Sequence, residues 1–344
     1  MDKKTAKRMI FNSLLFIGLI AITFWLVFKD QDIKQIFEVA KSANPWFLLL
    51  GIFLMLMYFA MEAINIKSIL KSFGEKLSFL KAYKFTMIGF FFAAITPSAT
   101  GGQPLEVYYM AKEKIPAAYS TLALLVQVCG IQVSTMLLGT VSMILNTKLL
   151  TGPVLWLSII GFAMNGIALA AMLICIFNNK LSRKLVNGFI GILEHLGFKK
   201  ITKKRKKIEK SLNQYAEGAK YMKTHKKEFF AAILRVLIQF CFYFSVPYCV
   251  YLAFGLEGMG FFEVFALQAI LFMATSALPL PGAIGASESV FLNLFGLAFG
   301  VELLSSAMLL NRGITFYLFV LVTLLVAFIN IIRVKNSVGS TDKS

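Results

Sequence analysis

The sequence predicts an all-α integral membrane protein, a polytopic helical bundle with two re-entrant, Pro/Gly-broken hairpins in an inverted arrangement. Three observations predict it. Of 344 residues, 58% are hydrophobic and 34 are Phe, and the mean hydropathy is +0.75. That is more apolar surface than a soluble core of this length needs, and several runs reach the ~20 residues that span a bilayer. The formal net charge of +18 gathers at the ends of apolar runs and in one central segment. Positive-inside topology produces that distribution and anionic headgroups attract it, so no nucleic-acid partner is expected. Finally, TPSATGGQPLEV at 96–107 and LPLPGAIGASES at 278–289 repeat one pattern inside apolar stretches. In each, a proline is followed nine positions later by a glutamate, Pro97 by Glu106 and Pro279 by Glu288, with glycines between. A helix broken in mid-membrane frees backbone groups that lipid cannot satisfy, so such breaks persist only where protein or a water-filled cavity surrounds them. Paired interruptions in two halves of a membrane protein point to a binding site.

Taken in order, MDKKTAKRM leads into an apolar run from Met9 to Phe28. It is longer than a signal-peptide core and lacks a small-residue cleavage site, which predicts an anchor helix with a cytoplasmic N-terminus. A second span runs from about Pro45 to Ile66, and Lys67, Lys71, Lys76, Lys81 and Lys84 return the chain to the cytoplasmic side. Phe85 to Thr96 is too short to cross before Pro97, and Lys112 and Lys114 follow soon after Gly101-Gly102, so 79–112 reads as a hairpin that enters and leaves on one face. Spans at about 117–145 and 153–177 come next.

Residues 178–228 form the one sizeable polar segment, with a net charge of about +11. It reads as a basic cytoplasmic loop, either an amphipathic element on anionic lipid, with Leu185, Phe189, Ile192 and Leu193 at helical spacing, or a solvated linker. A span at about Phe229 to Phe254 leads out. Phe262 to Leu278 dips in until Pro279 and Pro281, residues 285–300 climb back, and a last span from Ser305 to Ile332 ends at Arg333 and Lys335. Charge parity puts both termini inside and makes the second hairpin enter from the outer face. The whole chain, 1–344, reads as a single transmembrane domain.

Glu106 and Glu288 each fall near the start of a half-helix, where the positive end of the helix dipole favours a carboxylate. Capping explains them; so does holding a cationic headgroup, an ion or a proton, because intramembrane carboxylates are costly. Arg312, beside Asn311, lies inside the last span and needs a partner or a water path, with Glu288 or Glu106 the candidates. Its guanidinium also suits a phosphate. The expectation is that Glu106, Glu288 and Arg312 share one cavity. Gly101, Gly102 and Gln103 could present amides to a phosphate as an anion nest. Pro97, Pro279, Pro281 and Gly282 are the helix breakers. Glu62 and Arg235 sit near span ends and read as snorkelling residues.

Cys129, Cys175, Cys241 and Cys249 all lie in apolar segments without CxxC spacing and read as free thiols. His195 and His225 lie in the basic segment, away from any carboxylate cluster, so neither a metal site nor a cofactor is expected. GxGxxG, Walker A and HExxH patterns are absent, and two histidines supply no nucleophile triad. No catalytic constellation is visible.

At the two broken segments the chain resembles the transmembrane domain of the bacterial lysyl-phosphatidylglycerol synthase/flippase family and its stand-alone membrane relatives. TPSATGGQPLEVYYMAKEKIP matches the family's TPxxxGGxP-E/R segment and LPLPGAIGASES its PxPGGxGxxE segment, with Ala283 in place of the second glycine. The resemblance covers nearly the whole chain. It implies a lipid translocase of the bacterial plasma membrane that handles phospholipid or aminoacyl-phosphatidylglycerol headgroups. The family's C-terminal aminoacyltransferase domain is expected to be absent, since the sequence ends a dozen residues after the last span. A phosphatidylglycerol lysyltransferase, or a component of one, is the second reading; an ion-coupled transporter or a membrane scaffold is the third. The partners implied are an anionic or aminoacylated phospholipid and a separate synthase or glycosyltransferase, with a homo-oligomer also open.

Overall fold

A computed structural model describes residues 33–96, 99–147, 152–195, 205–276, 278 and 280–341. The apolar run at 9–28, Pro97 and Pro279 lie outside the described residues. Among those described, the chain is helical and has no strand. The helices are α1 (Ile33–Ser42), α2 (Pro45–Ser72), α3 (Phe79–Ala94), α4 (Gly102–Lys112), α5 (Ala117–Leu145), α6 (Gly152–Phe177), α7 (Asn179–His195), α8 (Arg205–Thr224), α9 (Lys226–Ala253), α10 (Phe261–Thr275), α11 (Ala286–Leu294), α12 (Gly296–Arg312) and α13 (Leu318–Thr341). A five-residue π turn, Gly313–Tyr317, joins α12 to α13.

Among the described residues, five helical stretches are long and apolar enough to cross a membrane: α2, α5, α6, α9 and Gly296–Asn330. Their outward faces carry Phe53, Leu137, Ile160, Ile167, Leu321 and Leu325, all exposed. Water would not tolerate so continuous an apolar surface, and a bilayer requires it. The chain is an all-α polytopic membrane protein.

Two helix pairs cannot span. At 1.5 Å per residue, the 16 residues of α3 and the 11 of α4 reach about 24 and 16 Å, short of the ~30 Å hydrocarbon core. The 15 of α10 and the 9 of α11 do no better. These are the two helices that flank each Pro/Gly segment. At the far end of the first pair, Glu113 accepts from Lys81 at 2.7 Å and Lys84 at 3.3 Å, closing α3 against α4. The Lys81 hydrogen bond holds Glu113 below the usual carboxylate range. Glycines let the two legs touch: a Cβ on Gly102 would lie 2.9 Å from the Gly89 carbonyl oxygen, the close backbone approach that small residues permit between membrane helices.

The core gathers on aromatic contacts between these pairs and the long helices. Phe59 of α2 meets Phe90 of α3 at 5.1 Å and Phe319 of α13 at 5.0 Å, while Phe291 stacks on Phe295 at 4.0 Å. α2 and α9 form the most extensive helix pair, and α5 packs on α9, α10 and α6.

The last span begins a few residues before Ser305: Gly300, at φ 64° and ψ 169°, is non-helical and separates a short helical turn that starts at Gly296 from the long helix that runs on into the π turn. The basic segment contains α7 and α8. α8 is docked on the bundle: Ala219 and Met222 are buried, Gly218 fits beneath Leu122, and the Tyr215 hydroxyl donates to the Cys175 carbonyl at 2.9 Å. The four cysteines are free, with Cys129 and Cys249 buried.

In the second break, a 3₁₀ turn at Pro281–Ala283 places Gly282 at φ 58° and Ala283 at φ 52°. A side chain in the left-handed region is strained, and Ala283 stands where the related motif has glycine. Ala283→Gly is expected to stabilise the fold by about 0.5–1 kcal/mol, the relief of αL strain less glycine's entropic cost. Unfolding in detergent micelles checks this; a lower midpoint would show that the alanine is unstrained.

Candidate functional site between the two breaks

The second break closes its own polar groups through one carboxylate. Glu288 is the third residue of α11, and its Oε2 accepts from the Gly285 amide at 2.6 Å, the return contact of a capping box. Its Oε1 accepts from Arg312 Nε at 2.8 Å and from the Tyr317 hydroxyl at 3.3 Å. Arg312 Nη2 donates to the Gly282 carbonyl at 3.0 Å, and the guanidinium lies over the Phe316 ring at 4.5 Å. Arg312 ends α12, and the π turn that follows brings Phe316 and Tyr317 against it. Such turns recur at functional sites. Glu288 and Arg312 are each only 8% exposed, so the pair is a buried, hydrogen-bonded salt bridge, stable only because each charge has its partner.

Beside this pair is a cavity of about 220 Å³ lined from both breaks: Ala93, Ala94 and Ala99 on one side, Leu278, Leu280, Gly282 and Ala283 on the other. Arg312, Asn311, Gln268, Tyr58 and Tyr243 complete the polar wall. Gln268 Oε1 and Asn311 Oδ1 are buried without a hydrogen-bond partner, a costly condition for an amide oxygen unless something occupies the cavity. The wall thus carries a cationic donor, and two of the residues that line it hold unpartnered amide oxygens.

The structure places Glu288, Arg312, Asn311, Pro281 and Gly282 around this region, and Glu106 outside the cavity wall. The matched spacing of the two glutamates is misleading, because α4 starts at Gly102. Glu106 therefore lies one turn in, makes no cap, and packs its carboxyl against Gly89. The Gly101 amide donates to Thr96 Oγ1 at 2.9 Å, so it is not turned toward an anion, and Gly102 is needed for helix contact. Gln103 is half-buried on α4.

A polar chain through α2, α5 and α9 escapes the sequence reading. Arg235 Nη1 donates to Asn65 Oδ1 at 3.3 Å, Asn65 Nδ2 to Gln127 Oε1 at 2.6 Å, Gln127 Nε2 to Gln239 Oε1 at 2.9 Å, and Gln239 Nε2 to Glu62 Oε2 at 2.9 Å. Asn65, Gln127 and Gln239 are almost wholly buried. Glu62 and Arg235 are thus tied into the interior and do not snorkel. The signal was present as Glu62 with Asn65 three apart and Arg235 with Gln239 four apart, each pair on one helix face. Among the described residues, no three His, Cys, Asp or Glu side chains gather as a metal ion would need.

The family model for the lysylphosphatidylglycerol synthase TM region matches residues 10–323. A UPF0104 membrane protein of Archaeoglobus fulgidus is 26% identical over 102 residues, 30% of this chain and 31% of the archaeal protein; the match spans about a third of that relative's length.

Breaking the buried pair on one side, by Glu288→Leu or Arg312→Met, is expected to cost about 3–5 kcal/mol. The double variant is expected to cost clearly less than the sum of the two. Unfolding of all four proteins in mixed micelles gives the coupling; additive effects would show that the two charges do not depend on each other.

Proposed function

The chain belongs to the lysylphosphatidylglycerol synthase TM-region family, and from that premise we propose that it is a lipid translocase whose cavity between the two breaks takes a phospholipid headgroup. The observation that carries the reading is the juxtaposition on one cavity wall of Arg312 with the unpartnered oxygens of Gln268 and Asn311. Glu288 and Gly282 take one guanidinium N–H group each, and a planar guanidinium with five such donors suits a phosphate. The two amide oxygens suit the ammonium of an aminoacylated headgroup. At about 220 Å³ the cavity fits a headgroup and leaves the acyl chains in the bilayer.

The translocation path follows from the short helix pairs. Each re-enters from one face, the α3–α4 pair from the cytoplasm and the α10–α11 pair from outside, and their tips meet at the site, the inverted arrangement in which a fixed midplane site is exposed alternately. Both chain ends and α7–α8 face the cytoplasm in this topology, and the membrane is the bacterial plasma membrane. A phosphate entering beside Arg312 competes with Glu288 for the guanidinium, so headgroup binding loosens the contact that closes the second break. That exchange is the differential interaction a conformational change requires. The lipid is anionic or aminoacylated phosphatidylglycerol, and a separate synthase or glycosyltransferase supplies or uses it.

Asn311→Leu is the sharpest test, because it removes an unsatisfied buried oxygen and leaves the salt bridge in place. It is expected to fold as stably as the parent while slowing outward movement of lysyl-phosphatidylglycerol in reconstituted vesicles by at least about tenfold, the loss of one charge-assisted contact. Arg312→Ala should abolish movement of phosphatidylglycerol and its lysyl ester alike. Unchanged transbilayer movement in both variants, for every anionic and aminoacylated lipid tried, would refute the headgroup site.

A further inference from the structure

A second cavity, of about 330 Å³, lies among α5, the end of α6, α7 and α8. It shares no lining residue with the cavity beside Arg312. Its α5 wall runs from Ala118 to Leu125, two turns or about 10 Å along a helix, so the space extends inward from the start of a span. Val186 of α7 and Leu212 of α8 face that wall from the other helices. Where α6 ends at Phe177, the Cys175 carbonyl is one of the groups a helix end leaves free. It accepts both the Ser182 hydroxyl at 2.6 Å and the Tyr215 hydroxyl at 2.9 Å. Those two lining hydroxyls are thereby used by the backbone, and of the described lining residues only Thr121 and Ser211 carry another. Water held in such a space needs several polar partners; hydrocarbon needs none.

The mouth has the opposite character. Pro116 precedes α5 and supplies no side-chain cap, so the amides of Ala117 and Ala118, both on the cavity wall, carry the positive end of a 29-residue helix. Ala117 is exposed, and so is Lys114 three residues earlier. Arg183 stands on α7 next to the lining residue Ser182, and its Nη2 donates to Asn213 Oδ1, tying α7 to α8 at the rim. Among the described lining residues there is no carboxylate, and the nearby Glu113 is already held by Lys81 and Lys84.

From this pairing of an apolar shaft with a cationic, uncapped helix start, we infer that the cavity is a second lipid site, one that holds an acyl chain of an anionic glycerophospholipid with its phosphate at the start of α5. The lipid comes from the leaflet that Lys114 faces, which the charge rule makes the cytoplasmic one. It sits between α5 and the docked basic helix α8 and so holds α8 in place. Through α5, which packs on α9 and α10, it also steadies the second broken pair. The site does not depend on the headgroup reading, because no helix segment that lines one cavity lines the other.

Photolabelling of the full chain tests it. Phosphatidylglycerol with a diazirine in mid-chain, in phosphatidylcholine vesicles, is expected to crosslink to the peptides that carry Leu125, Val186 and Leu212. Excess unlabelled phosphatidylglycerol should remove most of that label, and the same excess of phosphatidylcholine should not. Lys114→Gln combined with Arg183→Gln should weaken the labelling by about tenfold, the effect of two cations beside an anionic lipid, and added salt should weaken it in the parent. Val186→Trp, which fills the cavity, should abolish it, while Asn311→Leu in the other cavity should leave it unchanged. Should Val186→Trp fail to fold, the charge variant decides, since both of its side chains lie at the rim. The inference is overturned if phosphatidylcholine competes as well as phosphatidylglycerol, if the label spreads evenly over lipid-facing residues such as Ile160 and Ile167, if the charge variant labels like the parent, or if Asn311→Leu removes the label. Labelling as expected, with no lipid movement in any assay, would count against the headgroup reading alone.

Discussion

Hydrocarbon supplies no hydrogen-bond partners, so a helix that stops inside it must satisfy its own freed groups, and the Glu288–Arg312 contact does this for the second break. One carboxylate oxygen takes the Gly285 amide at the start of α11, the other takes the guanidinium at the end of α12, and the guanidinium takes the Gly282 carbonyl. Three segments far apart in sequence are thereby fixed around one ion pair. The cavity wall, the π turn and the positioning of Phe316 all follow from where Arg312 must stand to reach Glu288.

The first break solves the same problem differently. Thr96 folds its hydroxyl back to the Phe92 carbonyl at 2.7 Å and receives the Gly101 amide, so short-range contacts suffice and Glu106 is not needed as a cap. That leaves Glu106 as a buried acid packed on Gly89, while Glu62 ends the amide chain that crosses three helices. The two halves of the molecule carry similar sequence motifs with different electrostatics: a closed ion pair beside the cavity in one, and in the other a buried carboxyl with no ion pair among the described residues.

Much of the architecture was legible because apolar run length and Pro/Gly breaks are local properties. The lengths of α2, α5, α6 and α9, the shortness of the two broken pairs, and Arg312 as a buried charge in need of a partner could be read directly. Which glutamate it would choose could not, since both follow a break at the same offset and only the start of α4 at Gly102, set by helix packing, separates their roles. The Asn65–Gln127–Gln239–Glu62 chain was hidden for another reason: its hydrogen-bonded partners are 62 to 177 residues apart in sequence, and each alone looks like an ordinary polar residue in an apolar helix. The π turn left no signal in Gly313–Tyr317 because a one-residue change in hydrogen-bond register barely alters hydrophobic periodicity.

The central claim is that the two breaks share one headgroup-sized, water-accessible cavity within the membrane. It is tested most directly with single cysteines at Ala99 and at Leu280, one from each break and both on the cavity wall, in a chain whose four native cysteines are replaced. In phosphatidylglycerol-free vesicles a membrane-impermeant thiol reagent should label both positions in the folded protein, and short-chain phosphatidylglycerol should protect both over the same concentration range. Labelling of either position only after unfolding, or protection of one without the other, would contradict the account.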